Sequence, residues 1–323
     1  MSKERITSLT TSEMKCFRTC RKRYEFEYVR CLKPIETPKA LSIGRQYHKG
    51  IELILNRIPY EKVEELLIAE EMKNAEKNQI DPNLFDTYLA LEMVRHFNDK
   101  ANWKSWKIIS IEQSFEVSTG YGKRLKGRID GLIDIDGYYY LIEHKTTSML
   151  NERYIARLHF LEEQNINYLY AYEELRKAGK IENKPVSGMF YNIIEKCGLK
   201  PLEATPQDKL KFKKDGSLYE SCRLNDETPQ EYRERVREWY EKQDRICQKM
   251  IARTSAEIET AIEDFNATIR DLKSAEREGN WYRNSNACNI LPCPYEAKCI
   301  CDTEETDDLY VKKEIKNEEL LWI

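Results

Sequence analysis

The stretch RIDGLIDIDGYYYLIEHKTTS places acidic residues inside the most strand-like part of the chain. Asp136-Gly137 is a strong signal for a two-residue hairpin loop, and a loop there sets Asp130 opposite Glu143 on the paired strands. Lys145 follows Glu143 by two positions, and strand residues two apart share a face. We therefore predict that Asp130, Glu143 and Lys145 lie together on one face of a hairpin.

Two carboxylates beside an ammonium group can carry out phosphate chemistry. Like charges directly opposite each other destabilise a hairpin unless a cation lies between them. Carboxylate oxygens are the ligands that a hard divalent cation such as Mg²⁺ takes, and the bound cation polarises a phosphate and acidifies a water molecule. Lys145 would orient that water or offset charge growing on the phosphate oxygens. The alternative is an ordinary hairpin whose charged face is solvated.

The flanking sequence predicts the elements that must position this hairpin. Apolar residues at helical spacing predict helical stretches, the last of them a long charged helix or a helical pair. They cover residues 10–31, 41–57, 60–79, 84–103, 152–178 and 228–278. Alternating β-branched residues predict strands from about residue 107 and over 186–196, and residues 199–227 are irregular with a hairpin at Asp215-Gly216. An α/β fold with a mixed central sheet wrapped by helices fits this order best.

Composition sets limits on the class of protein. The chain has 323 residues, of which 41% are hydrophobic and 34% charged, and its net charge is only -3. Any basic surface for nucleic acid must therefore be local. No apolar run approaches the ~20 residues that cross a bilayer, and the N-terminus lacks a signal-peptide core. We expect a cytoplasmic protein without a membrane partner.

Ten cysteines need explanation in a reducing compartment. Four lie in CNILPCPYEAKCIC near the C-terminus, and three more lie near the N-terminus, at positions 16, 20 and 31. Clustered thiols in an intracellular protein indicate metal ligation before they indicate disulfides.

The motifs, taken in order, resemble the PD-(D/E)XK nuclease superfamily, specifically its RecB-like branch. GRIDG followed by EHK resembles the catalytic core, Gly44-x3-His48 resembles the first motif, and Gln164-x3-Tyr168 resembles the QxxxY motif. The cysteines resemble those of the iron–sulfur subset, which includes the AddB nuclease domain, CRISPR-associated adaptation nucleases and exonuclease V-type enzymes. The resemblance runs as islands from about residue 7 to 300, and the stretches 60–105 and 200–275 match no motif.

The resemblance implies a restriction-endonuclease-like sheet and a set of site residues. The implied metal ligands for Mg²⁺ or Mn²⁺ are His48, Asp130, Glu143 and the backbone carbonyl of His144. The implied catalytic residues are Asp130, Glu143, Lys145, Gln164 and Tyr168. The resemblance implies that Gln164 and Tyr168 orient the scissile strand. An imidazole ligand favours Mn²⁺ slightly, because imidazole is softer than carboxylate.

For the cysteines, the resemblance implies a four-iron four-sulfur (4Fe-4S) cluster that ties both ends of the chain together. Its ligands would be Cys20, Cys288, Cys293 and Cys299. Zinc is the alternative, although zinc favours pairs of cysteines with two to four intervening residues, and the C-terminal spacing here is four and then five. Cys16 could replace Cys20, and Cys301 could replace Cys299.

We expect one nuclease domain over residues 1–323. Its parts are N-terminal helices with the first cluster cysteine and the motif histidine (1–58), a helical insertion (59–106), the catalytic core (107–196), an insertion with long helices (197–280), a cluster-binding segment (281–301) and an acidic tail (302–323).

The expected function is a metal-dependent exonuclease that processes DNA ends in recombination, repair or replication, and the resemblance suggests a phage-encoded enzyme. The alternatives are a structure-specific or single-strand endonuclease on the same core, and a non-catalytic DNA-binding module. No G-x4-G-K-[ST] motif for an ATP motor is present, so unwinding would come from a helicase or from a recombination or replication protein.

Local basic groups are the candidates for contact with single-stranded DNA or DNA ends. They are Arg18, Arg21, Lys22 and Arg23; Lys123, Arg124, Lys126 and Arg128; and Lys209, Lys211, Lys213 and Lys214. The alternative for the last group is a solvated loop.

Overall fold

The computed structural model describes residues 8–35, 39–120, 122–288 and 293–313. The strands are β1 (Ser8–Leu9), β2 (Leu32–Pro34), β3 (Lys107–Gly120), β4 (Lys123–Ile135), β5 (Tyr138–Thr147), β6 (Val186–Glu195), β7 (Ile246–Ile251) and β8 (Tyr310–Lys312).

The helices occur singly and in consecutive groups between these strands, and a π-helical turn over Glu25–Val29 follows the second helix. They are α1 (Thr11–Thr19), α2 (Arg21–Tyr24), α3 (Lys39–Leu55), α4 (Tyr60–Asn78), α5 (Leu84–Lys100), α6 (Glu152–Leu161), α7 (Glu163–Lys177), α8 (Pro229–Lys242), α9 (Ser255–Glu278), α10 (Ser285–Cys288), α11 (Glu296–Ile300) and α12 (Glu304–Asp307).

Six strands form a mixed central sheet in the order β1-β4-β5-β6-β7, and β3 pairs with the other edge of β4. The pairs β1–β4 and β5–β6 are parallel, whereas β3–β4, β4–β5 and β6–β7 are antiparallel. Strands β2 and β8 form a separate antiparallel pair. The predicted α/β architecture with a mixed, helix-flanked sheet is confirmed.

The β4–β5 hairpin has the register that the Asp136-Gly137 loop predicts. Both loop residues have positive φ, 52° and 87°, as a type I′ turn requires. Ladder pairs run from Ile135–Tyr138 to Gly131–Ile142. The predicted Asp130–Glu143 pair would be the next one, and the two strands separate at that point.

Helices cover both faces of the sheet. On one face α1, α7 and α9 pack against β3, β4 and β6 through buried side chains such as Phe17, Leu169 and Phe265. On the other face α3, α5 and α8 pack against Ile133 and Ile142. Helices α3 and α5 approach closely at Gly50, where a Cβ atom would lie 2.4 Å from a Val94 methyl carbon.

The structure departs from the predicted elements in three places. The helix predicted over 10–31 is broken at Cys20, which has extended backbone between α1 and α2. The helix predicted over 152–178 is broken at Glu162, whose carboxylate caps the start of α7. Strand β7, which pairs with β6, interrupts the charged stretch 228–278, and a capping box of Thr254 and Glu257 begins a second helix after it.

The predicted acidic tail is partly ordered into secondary structure. The acidic tail contributes α12 and strand β8. Residues 314–323, including the LLWI sequence, lie outside the described residues. None of the described helices is both long and apolar enough to cross a membrane.

Candidate active site

The two predicted metal-binding carboxylates lie where β4 and β5 part. The ladder ends at Gly131–Ile142, and Asp130 and Glu143 come directly after it on their strands. Asp130 Oδ2 accepts a hydrogen bond from the backbone N–H of His144 at 2.9 Å. Beyond this point β5 stays paired with β6 as far as Thr147. The sheet therefore holds both acids rigidly, while their strands open between them.

Lys145 joins this site to α7 through a chain of hydrogen bonds. Its Nζ donates to Glu143 Oε1 at 2.6 Å and to Gln164 Oε1 at 2.9 Å. The Gln164 amide nitrogen in turn donates to the Tyr168 hydroxyl at 2.7 Å. Gln164 and Tyr168 are one helical turn apart, and the break at Glu162 places Gln164 in the first turn of α7. The structure thus brings these four predicted residues together.

His48 reaches the same point from α3. Its Nδ1 lies 3.6 Å from Asp130 Oδ2, and its imidazole forms a hydrogen bond with the backbone of His144. The side chain of His144 points to the other face, as predicted, where its buried ring packs 5.6 Å from the Phe97 ring. The imidazole of His48, the carboxylate of Asp130 and the backbone of His144 therefore converge.

The electrostatics of the acids reflect their burial and their proximity. Burial, and after it the nearby Asp130 charge, raise the pKa of Glu143 to about 7, against the opposing charge and hydrogen bond of Lys145. Burial also raises the pKa of Asp130, although the N–H of His144 and the charge of Lys145 oppose the shift. Two adjacent buried carboxylates with raised pKa values share an excess of negative charge that a cation would relieve.

The two basic groups at the site, Lys145 and His48, have pKa values that shift in opposite directions. Burial works to lower the pKa of Lys145, but the carboxylates of Glu143 and Glu162 outweigh it and raise that pKa, so the ammonium stays charged. Burial lowers the pKa of His48 to about 4, against the Glu143 charge. His48 is therefore a neutral imidazole near pH 7, which is the form that binds a metal ion.

The predicted ligands fit a hard divalent cation. Glu143 is 3% exposed, and among the described residues its Oε2 atom has no hydrogen-bond partner. A buried carboxylate oxygen without a partner is costly unless a cation or a donor meets it. No three His, Cys, Asp or Glu side chains in the described part of the chain are grouped closely enough to hold a metal ion as they stand. Binding a cation would therefore require these side chains to exchange their present contacts for it.

A cavity of about 180 Å³ opens beside Asp130. On the same edge of β4, β1 pairs at residues 124–125 and β5 pairs from Gly131 onward, so residues 126–130 lie between the two pairings. The cavity is lined by Thr10, Thr11, Ser12, Lys126, Gly127, Arg128, Asp130, Gln164 and Tyr168. It places two basic side chains, an amide and a phenol next to the carboxylates.

Glu112 is a site residue that the sequence reasoning missed. The pairs Ile111–Gly131 and Gln113–Ile129 set it across β3 from Asp130, and burial together with the Asp130 charge raises its pKa to about 8. Its φ of 52° is strained for a residue other than glycine. Its carboxylate lies 2.5 Å from Nε of Arg128, a cavity residue. The β3–β4 register, counted back from the turn at Gly120–Gly122, was the signal that could have revealed it.

The four predicted cluster cysteines lie near enough to influence one another's pKa values, although the described side chains do not form a metal-binding group as they stand. Cys20 lies in the break between α1 and α2, and Cys288, Cys293 and Cys299 lie in or near α10 and α11. Burial raises the pKa of Cys293 and of Cys299, and each is raised further by the nearby thiols of Cys20 and Cys288. Four thiols that repel one another as thiolates suit a cationic metal centre.

The alternative ligands are placed differently. Cys16 is buried, donates to a Glu27 carboxylate oxygen at 3.8 Å, and has a pKa raised by burial and by Glu27. Cys301 is exposed at the end of α11. Residues 289–292, between two of the predicted ligands, lie outside the described residues.

Comparison with known proteins agrees with this geometry. None of the curated proteins matches the chain. The profile of the PD-(D/E)XK nuclease superfamily matches residues 8–300. That range contains the parted strands with Asp130 and Glu143, the adjacent Lys145, and the helix that carries Gln164 and Tyr168. Since the match spans nearly the whole chain and includes every element of the site, this protein belongs to the PD-(D/E)XK nuclease superfamily.

Proposed function

We propose that this nuclease is a metal-dependent exonuclease of the RecB-like branch, which hydrolyses phosphodiesters at DNA ends. The observation that carries the proposal is the hydrogen-bonded chain Glu143–Lys145–Gln164–Tyr168 beside the buried Asp130. Nucleases of this superfamily are typically metal-dependent. A family site without function would not need to maintain a buried, mutually repelling pair of acids.

The metal would be Mg²⁺ or Mn²⁺, held by His48, Asp130, Glu143 and the backbone carbonyl of His144. Bound there, it would supply Lewis-acid activation of the scissile phosphate and of the attacking water. The two carboxylates would balance the charge of the divalent ion, and the neutral imidazole would add a ligand without adding charge. Oxygen ligands dominate, so both metals fit.

The chain's own residues would position the reactants. The Lys145 ammonium, fixed by Glu143 and Gln164, would orient the attacking water and stabilise charge on the phosphate oxygens. Gln164 and Tyr168 line the cavity beside Asp130, so they would hold the scissile strand. Lys126 and Arg128 would neutralise the neighbouring phosphates on the same side of β4.

The cavity favours one strand over a duplex. Its volume of about 180 Å³ and its position between β4, the start of α1 and α7 suit a single sugar-phosphate backbone. An exonuclease acting on DNA ends meets this requirement when a helicase or a recombination or replication protein presents a separated strand. A structure-specific endonuclease on the same core is the second candidate, because a cavity of this shape also accepts a looped strand.

We further propose that Cys20, Cys288, Cys293 and Cys299 bind a 4Fe-4S cluster. The mutual effect of these thiols on their pKa values supports the ligand set, and the irregular spacing suits an iron–sulfur cluster better than zinc. The cluster would be structural, joining α1 and α2 to the C-terminal segment. A cluster of this kind, and ten free thiols, suit the reducing cytoplasm.

The test of the nuclease proposal is digestion of end-labelled single-stranded, double-stranded and closed circular DNA with Mg²⁺ or Mn²⁺. Lys145→Met should slow cleavage by at least about a hundredfold, since it removes the charge but keeps the side-chain length. Its affinity for DNA in EDTA should stay close to that of the wild type. The matched control is Lys62→Met, an exposed lysine on α4, which should cleave normally.

The outcomes separate the candidates. Cleavage of ends with circular DNA left intact supports the exonuclease, whereas opening of circular DNA supports the endonuclease. Normal cleavage by Lys145→Met would remove this residue from the mechanism. A wild type that binds DNA and never cleaves it with either metal would leave a non-catalytic DNA-binding module.

A further inference from the structure

Residues 202–227 form an antiparallel arm that the nuclease core does not use. Its two legs are joined by backbone hydrogen bonds: the N–H of Glu227 donates to the carbonyl of Leu202, and the N–H of Thr205 donates to the carbonyl of Arg223. Further out, the N–H of Lys213 donates to Ser217, close to the predicted turn at Asp215-Gly216. The side chains from 207 to 221 are exposed or half-exposed. The arm is therefore a surface feature with its own local order.

The two faces of the arm's outer part differ in chemistry. Phe212 and Leu218 form a bridge pair, so they share one face. The N–H of Tyr219 donates to the carbonyl of Lys211, and these two residues share the opposite face with Lys213. One face thus pairs two apolar side chains, whereas the other presents two ammonium groups beside a phenol ring that is 46% exposed.

The charges on that second face are available to a partner. Within the described part of the chain, no carboxylate forms an ion pair with Lys211 or Lys213. The nearest acid in the turn, Asp215, is occupied by the backbone and hydroxyl of Ser217. In a chain whose net charge is -3, four lysines in the six residues 209–214 are a local exception.

The chain enters the arm from the end of the sheet that carries Glu143 and Lys145, which we call the catalytic edge. Strands β5 and β6 run parallel, with Lys145 paired to Ile193 and Thr147 paired to Glu195. The next residue along, Lys196, donates its N–H to the carbonyl of Thr147. The chain therefore leaves the sheet a few residues past the level of the catalytic lysine. Residues 197–200 then lead it along α8 to the arm, with the carbonyls of Leu199 and Lys200 accepting hydrogen bonds from Tyr232 and Arg235.

We propose that the face formed by Lys211, Lys213 and Tyr219 binds single-stranded DNA flanking the segment held in the active site. The lysines would neutralise two phosphates, and Tyr219 would stack on an unpaired base. Stacking requires an unpaired base, so the surface would select a single strand over a duplex. The proposal rests on the proposed nuclease function, and it adds a second contact region for the same substrate.

The experiment measures binding of fluorescently labelled single-stranded DNA to the full-length metal-free protein in EDTA, by anisotropy. It compares strands of about 4 nucleotides, which fill one small site, with strands longer than about 16 nucleotides. The triple variant Lys211→Ala, Lys213→Ala, Tyr219→Ala should bind the long strand on the order of tenfold to a hundredfold more weakly. Its affinity for the short strand should equal that of the wild type.

Salt dependence gives an independent readout. Two lost phosphate contacts should make the slope of log affinity against log salt concentration less steep by about 1.4 for the long strand. The conservative variant Lys211→Arg, Lys213→Arg, Tyr219→Trp should restore both affinity and slope. The matched control is Lys73→Ala, Lys77→Ala, Tyr138→Ala, which removes the same exposed residue types from α4 and from the far end of the hairpin.

Cleavage of the short strand in Mg²⁺ or Mn²⁺ separates the two proposals. A wild type that cleaves short strands while the arm variant binds long strands normally would overturn the arm proposal and leave the nuclease proposal intact. Equal weakening by the control variant would also overturn it, since bulk charge would then explain the effect. A wild type that neither binds nor cleaves DNA would overturn both.

Discussion

The catalytic edge and the cysteine region both gather residues that lie far apart in the sequence, but they hold them in different ways. At the catalytic edge, Asp130 accepts from the backbone of His144, and Lys145 is fixed between Glu143 and Gln164. These bonds link the strands to α7, and the elements that carry them belong to the two large apolar cores on either face of the sheet.

The cysteine region is supported by a much smaller core. Phe26, Leu32 and Tyr295 are its buried apolar residues, with Cys293 and Cys299 partly buried against them. The Tyr295 hydroxyl donates to the carbonyl of Leu32, and its ring stacks on that of Phe26. The thiols lie in or beside short helices, namely α2, α10 and α11, and a helix this short gains its order from tertiary contacts.

The two proposed metal sites therefore have opposite relations to the fold. The sheet assembles the carboxylates at an electrostatic cost, which a cation would offset in order to do chemistry. Cys293 and Cys299 lie in a region with little apolar burial, where a metal centre would supply the stability that packing does not, whereas Cys20 lies beside Phe17 and Tyr24 of a large core. Loss of metal should therefore affect activity at the first site and stability at the second.

The largest expected effect on stability comes from the cysteine region. Cys293→Ala should remove the proposed cluster and lower the free energy of unfolding by about 4 kcal/mol, as for the loss of a cross-link that closes a very long loop. Visible absorbance of anaerobically prepared protein and thermal unfolding measure the two changes. Cys222→Ala, a thiol in the arm with no proposed ligand role, is the control and should change neither.

The proposed metal centre would be refuted if wild-type protein prepared without oxygen were colourless and contained neither iron nor zinc. The thiols would then be ordinary side chains. Zinc found in place of iron would keep the structural role and change only the metal. Loss of cleavage without loss of stability in Cys293→Ala would reverse the roles assigned to the two regions.

At the catalytic edge, the buried carboxylate of Glu143 should make the free energy of unfolding of the metal-free protein depend on pH. The pKa of Glu143 is about 7 in the folded state and about 4.5 in the unfolded chain, so the folded state binds more protons between these values. Stability from this group is full below pH 4.5 and is lost as pH rises through 7. The loss is on the order of 3 kcal/mol.

Chemical denaturation of wild type and Glu143→Gln across pH 4.5 to 7.5 in EDTA isolates this contribution. The difference in unfolding free energy between the two proteins should change with pH, the variant becoming relatively more stable as pH rises. Glu116→Gln, which alters an exposed ion pair with Arg124 on the same sheet, is the matched control and should track the wild type. A pH-independent difference for Glu143→Gln would mean that this carboxylate carries no such penalty.

The sequence was sufficient for the local geometry of the site and insufficient for its surroundings. The loop at Asp136-Gly137 determines the hairpin register, because a two-residue turn leaves no freedom in pairing. The convergence of His48, Gln164 and Tyr168 on that hairpin followed only from the family resemblance. Helical spacing shows which face a residue shares but not which strand that face will cover.

The features that the sequence did not predict all depend on tertiary structure. Strand β7 was hidden in a charged stretch because its partner β6, and not its own composition, stabilises it. Cys20 and Glu162 interrupt helices whose periodicity continues through them, and tertiary contacts outweigh that periodicity. Glu112 was missed since its place opposite Asp130 depends on the β3–β4 register.

The smallest expected effect tests whether Gly44 serves the fold or the substrate. A Cβ atom at Gly44 would meet only Thr146 Oγ1, at 3.8 Å, which is ordinary contact. Gly44→Ala should therefore stabilise the metal-free protein by up to about 1 kcal/mol, because alanine is the better residue in a helix interior. Gly50→Ala is the contrasting control, since its Cβ would clash with Val94 and destabilise the packing of α3 on α5. If Gly44→Ala is as stable as expected but cleaves DNA poorly, the space above Thr146 belongs to the substrate. If Gly44→Ala unfolds more easily than the wild type, the fold requires a glycine at this position. The packing of α3 then contributes to the geometry of the catalytic edge in addition to the hydrogen bonds there.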